Sequence, residues 1–364
     1  MSEKISEPSQ ILKLNNRDNV KCSKSHGSFS VLSRNIERGS FSSIDVVKWR
    51  KPGISHRNLS ALKVFSLGSL SRLQCVVYES DSRVKIHSGL YQVKREIELL
   101  KRFGGAHQHI VQLEHASECR KCNMILVSLR FAGRPIMFIS ESSEYQAWTA
   151  RSQKGLIFKP LVTNQMLPRS ILRERDVVIV LDQLSSALML LKERKIVHKD
   201  IKPANVLLNF PLCFWREISP GSAVSDVAWE FNHRRPIEVT LCDFNIAEER
   251  HDGRIYDAQG TVLFSPPEVF GRIDPSQGVD GFQRDVWSMG VLAYCLLTGE
   301  TPITEADSSL MTQIQILRLT TESIHVPRFV ANSRLRALVE SLLHPDPSKR
   351  ITVERCAEEL KHLD

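Results

Sequence analysis

No stretch of the 364 residues is apolar for long enough to cross a bilayer. The first ten residues are polar and lack the apolar core of a secretory signal. Neither an internal repeat nor a low-complexity tract is present. The eight cysteines are scattered, and without a secretory signal they are expected to be free thiols in a reducing compartment. These absences argue against a helical membrane protein and a secreted one, so an intracellular chain, cytoplasmic or nuclear, is expected. No polybasic run accompanies the net charge of +8. A solvated basic surface is the simpler account, and neither nucleic acid nor membrane is an expected partner. What remains is ordinary for a globular protein: 42% hydrophobic and 25% charged residues, in a chain long enough for two lobes with a real core.

Residues 1–28 are rich in Ser, Lys and Asn and are expected to form a flexible leader. Residues 29–36 and 44–49 flank a polar turn at Gly39 and predict a hairpin. A third apolar run covers 59–65, followed by a polar connection over 66–89. Tyr91, Ile97, Leu100 and Phe103 then recur at roughly helical spacing. Strands are predicted over 110–113 and 124–129. The first lobe, 29–129, is therefore expected to be a small antiparallel sheet with one main helix. In the remainder, 130–364, residues 140–163 are polar and irregular. Val177, Leu181, Leu184, Leu188 and Leu191 mark one face of a helix over 172–195. Short strands at 206–208 and 239–242 bracket an insertion at 210–236. The nearly continuous apolar run 286–297 predicts a helix buried on all sides, and helices are predicted at 310–319, 333–343 and 352–363. The second lobe is mainly helical, and the fold class α+β.

One loop concentrates the chemistry. Ile196-Val-His-Lys-Asp-Ile-Lys-Pro-Ala-Asn205 sets Asp200, Lys202 and Asn205 behind an apolar lead-in. An acid to take a hydroxyl proton, a lysine to meet a phosphate and an amide to hold a metal ion suit phosphoryl transfer. Other pieces stand around it in order. Ala61-Leu62-Lys63-Val64 places a lysine among apolar neighbours, which alone also fits an edge-strand lysine facing water. Its partner is Glu96 or Glu98; Glu96 leaves Leu100 free to pack beneath the helix. Cys242-Asp243-Phe244-Asn245 follows a strand, and asparagine tolerates the positive φ of a tight turn. Gly260-Thr261 and Ser265-Pro266-Pro267-Glu268 come next. A buried Glu268 needs a partner, for which Arg350 is the candidate. Asp285, in Asp285-Val286-Trp287-Ser288-Met289-Gly290, is expected to cap the buried helix and hold the loop's backbone from below. Each piece alone suits a plain turn, strand end or solvated helix face; the ordered set does not.

From about residue 29 onwards these motifs resemble the eukaryotic protein-kinase family. His198-Lys199-Asp200 with Asn205 resembles its catalytic loop, Ala61 to Val64 its lysine strand, and Asp243-Phe244-Asn245 its metal-binding turn. Lys202-Pro203 resembles the serine/threonine branch. A weaker resemblance, to calcium/calmodulin-dependent protein kinase kinases, rests on residues 91–97, 260–264 and 285–291 and on the long stretch between Lys63 and Glu96. With little chain after the last helix, a C-terminal calmodulin-binding tail is not expected. The resemblance implies the two-lobe protein-kinase fold, ATP and Mg2+ in the cleft, and transfer of the γ-phosphoryl group to a Ser or Thr of a protein substrate. It implies that Asp200 accepts the proton, Lys202 steadies the phosphoryl group, and Lys63, fixed by Glu96, holds the α/β-phosphates. Asn205 and Asp243 would bind the metal. The nucleotide would lie beneath Ile36, Gly39, Ser40, Phe41 and Ile44 and against Ala61, Lys63, Leu129 and Leu207. His198, Phe244, Thr261, Glu268, Asp285 and Arg350 would be structural, with Phe244 packed on His198 and Leu100.

The chain departs from that pattern in ways that keep a second class open, a pseudokinase scaffold or allosteric activator. A nucleic-acid-binding protein, resting only on the net charge, is a third. In the phosphate loop only the middle glycine, Gly39, is present, with Glu37 and Ser42 in the outer places. Lys199 stands where an arginine clamps an activation-loop phosphate in many kinases. Residues 246–260 contain no Ser or Thr, and Tyr256 carries the only hydroxyl. Glu248, Glu249 and Asp252 are permanent charges expected to order this segment without phosphorylation. The insertion carries Phe214, Trp215, Trp229 and Phe231, which form a private mini-core or a docking patch for a partner. Cys119 and Cys122 make a lone C-x-x-C; a turn with free thiols is simpler than zinc completed by His107, His109 or His115. An acid at 37 should repel nucleotide phosphates. Glu37→Gly is therefore expected to tighten nucleotide binding roughly fivefold, as ~1 kcal/mol of relieved repulsion implies. A fluorescence titration with equal affinity in both proteins would remove this expectation.

Overall fold

The computed structural model describes residues 19–21, 28–38, 42–50, 59–78, 84–103, 105, 107–120, 123–136, 174–209, 237–271, 277–303, 308–319 and 323–363. The insertion at 210–236, the irregular stretch at 140–163, and Gly39, Ser40, Phe41 and Cys122 lie outside the described residues.

The small lobe grows from an antiparallel ladder. Strands β1 (Asn19–Lys21), β2 (Ser28–Arg38), β3 (Ser42–Arg50) and β4 (Leu59–Ser66) pair in succession. β1 falls inside the stretch expected as leader; it adds an outer strand along β2. β4 buries Leu62, Val64 and Phe65 and lies between β3 and a later strand, so it is interior. Lys63 is therefore no edge lysine. The sequence predicts only a polar connection next, and the structure corrects this. Helix α1 (Leu67–Arg72) starts at Ser66, whose hydroxyl accepts the Ser69 N–H, and a hairpin of β5 (Gln74–Tyr78) and β6 (Val84–Ser88) follows. The helix buries only Leu70, and the hairpin leaves Val76 and Ile86 exposed. Elements this short carry no sustained period to read.

Helix α2 (Gly89–Phe103) buries Val93, Glu96, Ile97, Leu100 and Phe103 on one face. Tyr91, expected on that face, is exposed and stacks on His87 at 4.0 Å. β7 (Leu113–Cys119) and β8 (Met124–Arg130) complete a six-stranded sheet in the order β1-β2-β3-β4-β8-β7. The strand predicted over 110–113 begins only at Leu113. Ile110 instead makes an isolated bridge to Leu241, and Val111 donates to the Leu241 carbonyl at 2.9 Å. Backbone groups that would have joined the sheet are taken by the large lobe.

The large lobe contains β9 (Arg134–Pro135), α3 (Glu174–Glu193), β10 (Ile196–Val197), β11 (Val206–Asn209), β12 (Glu238–Leu241), β13 (Glu248–Glu249), β14 (Arg254–Ile255), α4 (Pro267–Phe270), β15 (Val279–Asp280), α5 (Gly281–Thr298), α6 (Ser309–Arg318), α7 (Ser333–Leu342) and α8 (Val353–Leu360). The five apolar residues predicted for the inner face of α3 are all buried. α5 is buried on every side, as its composition requires, and packs between α3 and α7. Asp280, not Asp285, caps it, accepting the N–H groups of Phe282 and Gln283. Asp285 lies one turn inside, where the helical N–H groups are already paired. The apolar core runs without a break from Val46 in the small lobe to Leu360 in the large one. This is the two-lobe α+β protein-kinase architecture. No described helix is long and apolar enough to cross a membrane.

At the junction of α3, α5 and α8, the Ser185 hydroxyl reaches Met289 Sδ at 3.7 Å and Cys356 Sγ at 3.8 Å. Leu184, fully buried beside it, has little freedom to be replaced by collapse of its neighbours. Leu184→Ala is expected to cost about 2–5 kcal/mol, read as a lowered urea midpoint.

Candidate active site

Three polar constellations converge where the lobes meet, and each follows from local backbone geometry. The first is centred on Lys63. Its ladder partners are Ile44 on β3 and Val127 on β8, which carry it inward from an interior strand. Only 8% of the residue remains exposed. Its ammonium donates to Glu96 Oε1 at 3.0 Å and to Asp243 Oδ1 at 2.9 Å. Glu96 is 2% exposed whereas Glu98 faces solvent, which decides between the two candidates. Burial favours the neutral amine, but Asp243 and Glu96 outweigh it and Lys63 stays charged, with a pKa above the ordinary lysine value. Burial also pushes Asp243 up, and Lys63, His198 and Lys202 together hold it below the usual aspartate range. Glu96 ends above the usual range: burial raises it, Lys63 pulls it down, and the second carboxylate raises it again.

The second constellation is the catalytic-loop candidate between β10 and β11. Lys199 holds a left-handed backbone, φ 70°, a conformation a non-glycine residue keeps only when its surroundings enforce it. They do. Asp285, inside α5, accepts the His198 N–H at 2.7 Å and the Lys199 N–H at 2.9 Å. The Asp285 carboxyl is raised by burial, which these two N–H groups partly oppose. The predicted role beneath the loop is thus met, although the capping role is not. Beyond the turn, Asn205 Nδ2 donates to the Asp200 carbonyl at 2.8 Å and to its Oδ2 at 2.9 Å. The Thr261 hydroxyl donates to Asp200 Oδ1 at 2.7 Å and accepts from Lys202 Nζ at 2.8 Å. Lys202 also pairs with Asp200 Oδ2 at 2.8 Å. Acid, lysine, amide and threonine therefore form one closed set.

The third constellation joins the first two. After β12 the chain turns through Asp243, whose φ is 66°. The sequence places the turn's left-handed residue at Asn245; the structure places it at Asp243, and Asn245 has no positive φ. Aspartate shares asparagine's tolerance of this region, and here Lys63 holds its side chain. The Cys242 N–H donates to the Asn205 carbonyl at 2.9 Å, and the Cys242 carbonyl receives His198 Nε2 at 3.1 Å. His198 Nδ1 accepts the Asp200 N–H at 3.3 Å, so the ring's proton lies on Nε2. Phe244 packs edge-on against His198 with centroids 4.8 Å apart. Its other ring contact is Phe103, at 5.3 Å, while Leu100 lies in the same core. Lower down, Arg350 grips Glu268 with two parallel bonds of 2.7 and 3.0 Å, as expected of a buried pair.

Of the residues expected around a nucleotide, Ala61 and Leu129 are direct partners across β4 and β8. Ile44 stands opposite Lys63, Ile36 belongs to β2, and Leu207 stands on β11 of the other lobe. Asp243 and Asn205 fit a hard cation: one carboxylate and one amide oxygen, the latter on a side chain whose nitrogen is committed to Asp200. The C-x-x-C reading has Cys119 buried at the end of β7, with Cys122 outside the described residues. Among the described residues no group of three or more His, Cys, Asp or Glu is arranged to hold a metal ion.

Several residues here were not singled out from the sequence. Asp257 and Gln259 reach Lys199 Nζ, Arg284 donates to the Lys199 carbonyl, and Arg102 on α2 forks onto Glu249. Their spacing is that of ordinary surface charges, so no sequence signal marked them. An amide has one acceptor oxygen where a carboxylate has two. Asp285→Asn is therefore expected to leave one of the two loop N–H groups unpaired, at about 1–3 kcal/mol. Urea unfolding should shift accordingly and amide exchange at His198 or Lys199 should quicken; unchanged exchange at both amides would contradict this account.

A family model described as "Protein kinase domain" matches residues 73–362. CBL-interacting protein kinase 4 of Oryza sativa subsp. japonica is 31% identical over 195 residues, 52% of this chain and 36% of that protein. Serine/threonine-protein kinase 33 of Mus musculus is 27% identical over 272 residues, 73% of this chain and 45% of that protein. The Aurora kinase of Yarrowia lipolytica is 28% identical over 172 residues, covering 47% and 37% respectively. The chain thus spans less than half the length of these relatives. The model's match opens after α1, beyond the glycine-poor loop and Lys63, yet contains the Asp200 loop, Asp243 and the whole helical lobe. On that match, which takes in most of its length, the chain belongs to the protein kinase family.

Proposed function

We propose that the protein is an ATP-dependent serine/threonine kinase, transferring the γ-phosphoryl group of ATP to a Ser or Thr hydroxyl of a protein substrate. One observation carries the reading. The Lys63–Asp243 pair and the Asp200–Lys202–Thr261 set are joined through Cys242 and Asn205, so charges from both lobes meet in one bonded network. Lys63 offers a buried cation already matched to anionic oxygen, and a nucleotide phosphate supplies the same complement that Asp243 supplies now. Glu96 keeps the lysine in place during that exchange.

Asp200 is the only carboxylate of the loop, and Asn205 and Thr261 aim it by hydrogen bonds to both its oxygens. It accepts the proton of the attacking hydroxyl while Lys202, at the same carboxylate, balances negative charge on the moving phosphoryl group. Magnesium held by Asp243 and Asn205 would supply further charge neutralisation at the phosphates. Positioning and electrostatics account for the catalysis, since no covalent intermediate is needed. The relatives' names include serine/threonine-protein kinase 33, which agrees with a hydroxyl acceptor of that type.

The test is incorporation of label from radiolabelled Mg-ATP into a generic basic protein substrate, with Asp200→Asn alongside. Loss of the general base is expected to lower the rate about 10²- to 10⁴-fold. Equal incorporation by the two proteins, or none by either, would overturn the assignment in favour of a scaffold.

A further inference from the structure

Lys199 has every polar group committed. Its N–H donates to Asp285, its carbonyl accepts from Arg284 at 3.1 Å, and its ammonium is sealed, with none of the side chain exposed. That ammonium donates to Glu248 Oε1 at 2.8 Å, to both oxygens of Asp257 at 3.0 and 3.3 Å, and to Gln259 Oε1 at 3.4 Å. Glu248, Asp257 and Gln259 all belong to the segment that leaves Asp243 and returns to Asp200 at Thr261. Arg250 completes the cluster on Glu248, at 2.6 Å. Lys199 and Arg250 thus face Glu248 and Asp257, with the buried Arg284 beside Asp257, and water is excluded from around the Lys199 ammonium.

The cluster determines where the segment goes. Asp257 turns the chain by accepting the Gln259 N–H at 2.9 Å. Gly260 follows with φ 123°, and a Cβ there would meet the Lys199 carbonyl at 2.5 Å, so the segment lies directly on the loop. One residue later Thr261 meets Asp200 and Lys202. On its outer side Gln259 Nε2 donates to the Val76 carbonyl of β5 at 2.7 Å, tying the segment to the small-lobe hairpin that leads into α2 and Glu96. Burial pushes the Asp257 carboxyl up, and Lys199, the Gln259 N–H and Arg284 more than reverse this, so it is ionised at neutral pH.

We propose that Asp257 is a positioning residue: its carboxylate, together with Glu248, clamps Lys199 and holds residues 246–261 in the form that seats Thr261 on Asp200, without phosphorylation of the segment. A phosphate arriving at Lys199 would face two carboxylates already in place, and repulsion would exclude it. Residues 246–260 offer no Ser or Thr to carry one. The hydroxyl of Tyr256 donates to Asp252 at 3.3 Å, so a phosphate there would sit against another acid. Of the three acids singled out from the sequence, only Glu248 reaches Lys199. Glu249 pairs with Arg102, and Asp252 accepts the Arg254 N–H and the Tyr256 hydroxyl.

The kinetic part of this inference rests on the proposed phosphoryl transfer; the structural part does not. Hydrogen exchange over 246–261 is to be measured on the full chain as purified, after treatment with a broad-specificity phosphatase checked by intact mass, and in Asp257→Asn and Tyr256→Phe. Phosphatase treatment and Tyr256→Phe are expected to leave exchange and transfer rate within about twofold. Asp257→Asn is expected to speed exchange in 246–261 about 10-fold or more while α3 and α5 keep their protection. Its kcat should fall by a similar factor while the KM for ATP stays within about twofold. Loss of protection on dephosphorylation or in Tyr256→Phe overturns the proposal, as does an unchanged segment in Asp257→Asn. Uniform acceleration across the whole molecule, the mark of a merely structural acid, overturns it as well. The phosphatase arm needs no variant to fold. If no Asp200-dependent transfer is seen, the kinase reading fails while the exchange data still decide the clamp.

Discussion

A carboxylate in an almost wholly buried helix accepts two main-chain N–H groups from a loop. That contact, Asp285 with His198 and Lys199, is the constraint on which the site depends. Lys199 is held left-handed by this contact, and the turn precedes Asp200, which meets Asn205 and Thr261. α5 can present Asp285 from below because it is packed on all sides, by α3 and α7 among others. The apolar core and the polar loop are therefore parts of one mechanical arrangement. The first fixes the helix; the helix fixes the loop.

Three buried cations of the site are matched by carboxylates, while Arg284 is held by main-chain carbonyls instead. Lys63 has Glu96 and Asp243, Lys199 has Glu248 and Asp257, and Arg350 has Glu268. Leaving any of these cations unpaired in a dry interior would cost several kcal/mol, so each pair draws together segments far apart in the chain. Lys63 links the sheet, α2 and the Asp243 turn. Lys199 links the loop to the returning segment. Because Asp243 begins that segment and Asp257 lies near its end, the two cations control it from both ends.

Much of the site was legible in the sequence because its chemistry needs particular side chains in a particular order. Lys63, Glu96, Asp200, Asn205, Asp243, Thr261, Glu268 and Arg350 were each named from motif and context, and each has a partner among the described residues. The misreadings have a common origin. Asp280 rather than Asp285 caps α5 because the helix starts where an extended residue can turn its carboxylate onto free N–H groups, which the motif does not encode. Asp243 rather than Asn245 takes the positive φ because Lys63 holds its side chain, a contact across 180 residues. The helix and hairpin after β4 were missed because each buries a single narrow face. Asp257 was missed because an acid destined for a sealed site looks in the sequence like any other.

Local composition and spacing by themselves determined that the first part of this chain is rich in strands and the second in helices, and which charged and amide side chains were candidates for one site. Period and side-chain type act between near neighbours, and near neighbours are what a sequence displays. Which acid meets which cation was decided only by the tertiary structure. Pairing of a buried charge depends on where two distant segments come to rest and how completely water is excluded between them. At Lys199, folding brings Glu248 and Asp257 to one ammonium and leaves Asp252 on Tyr256, although all three acids lie in the same short segment.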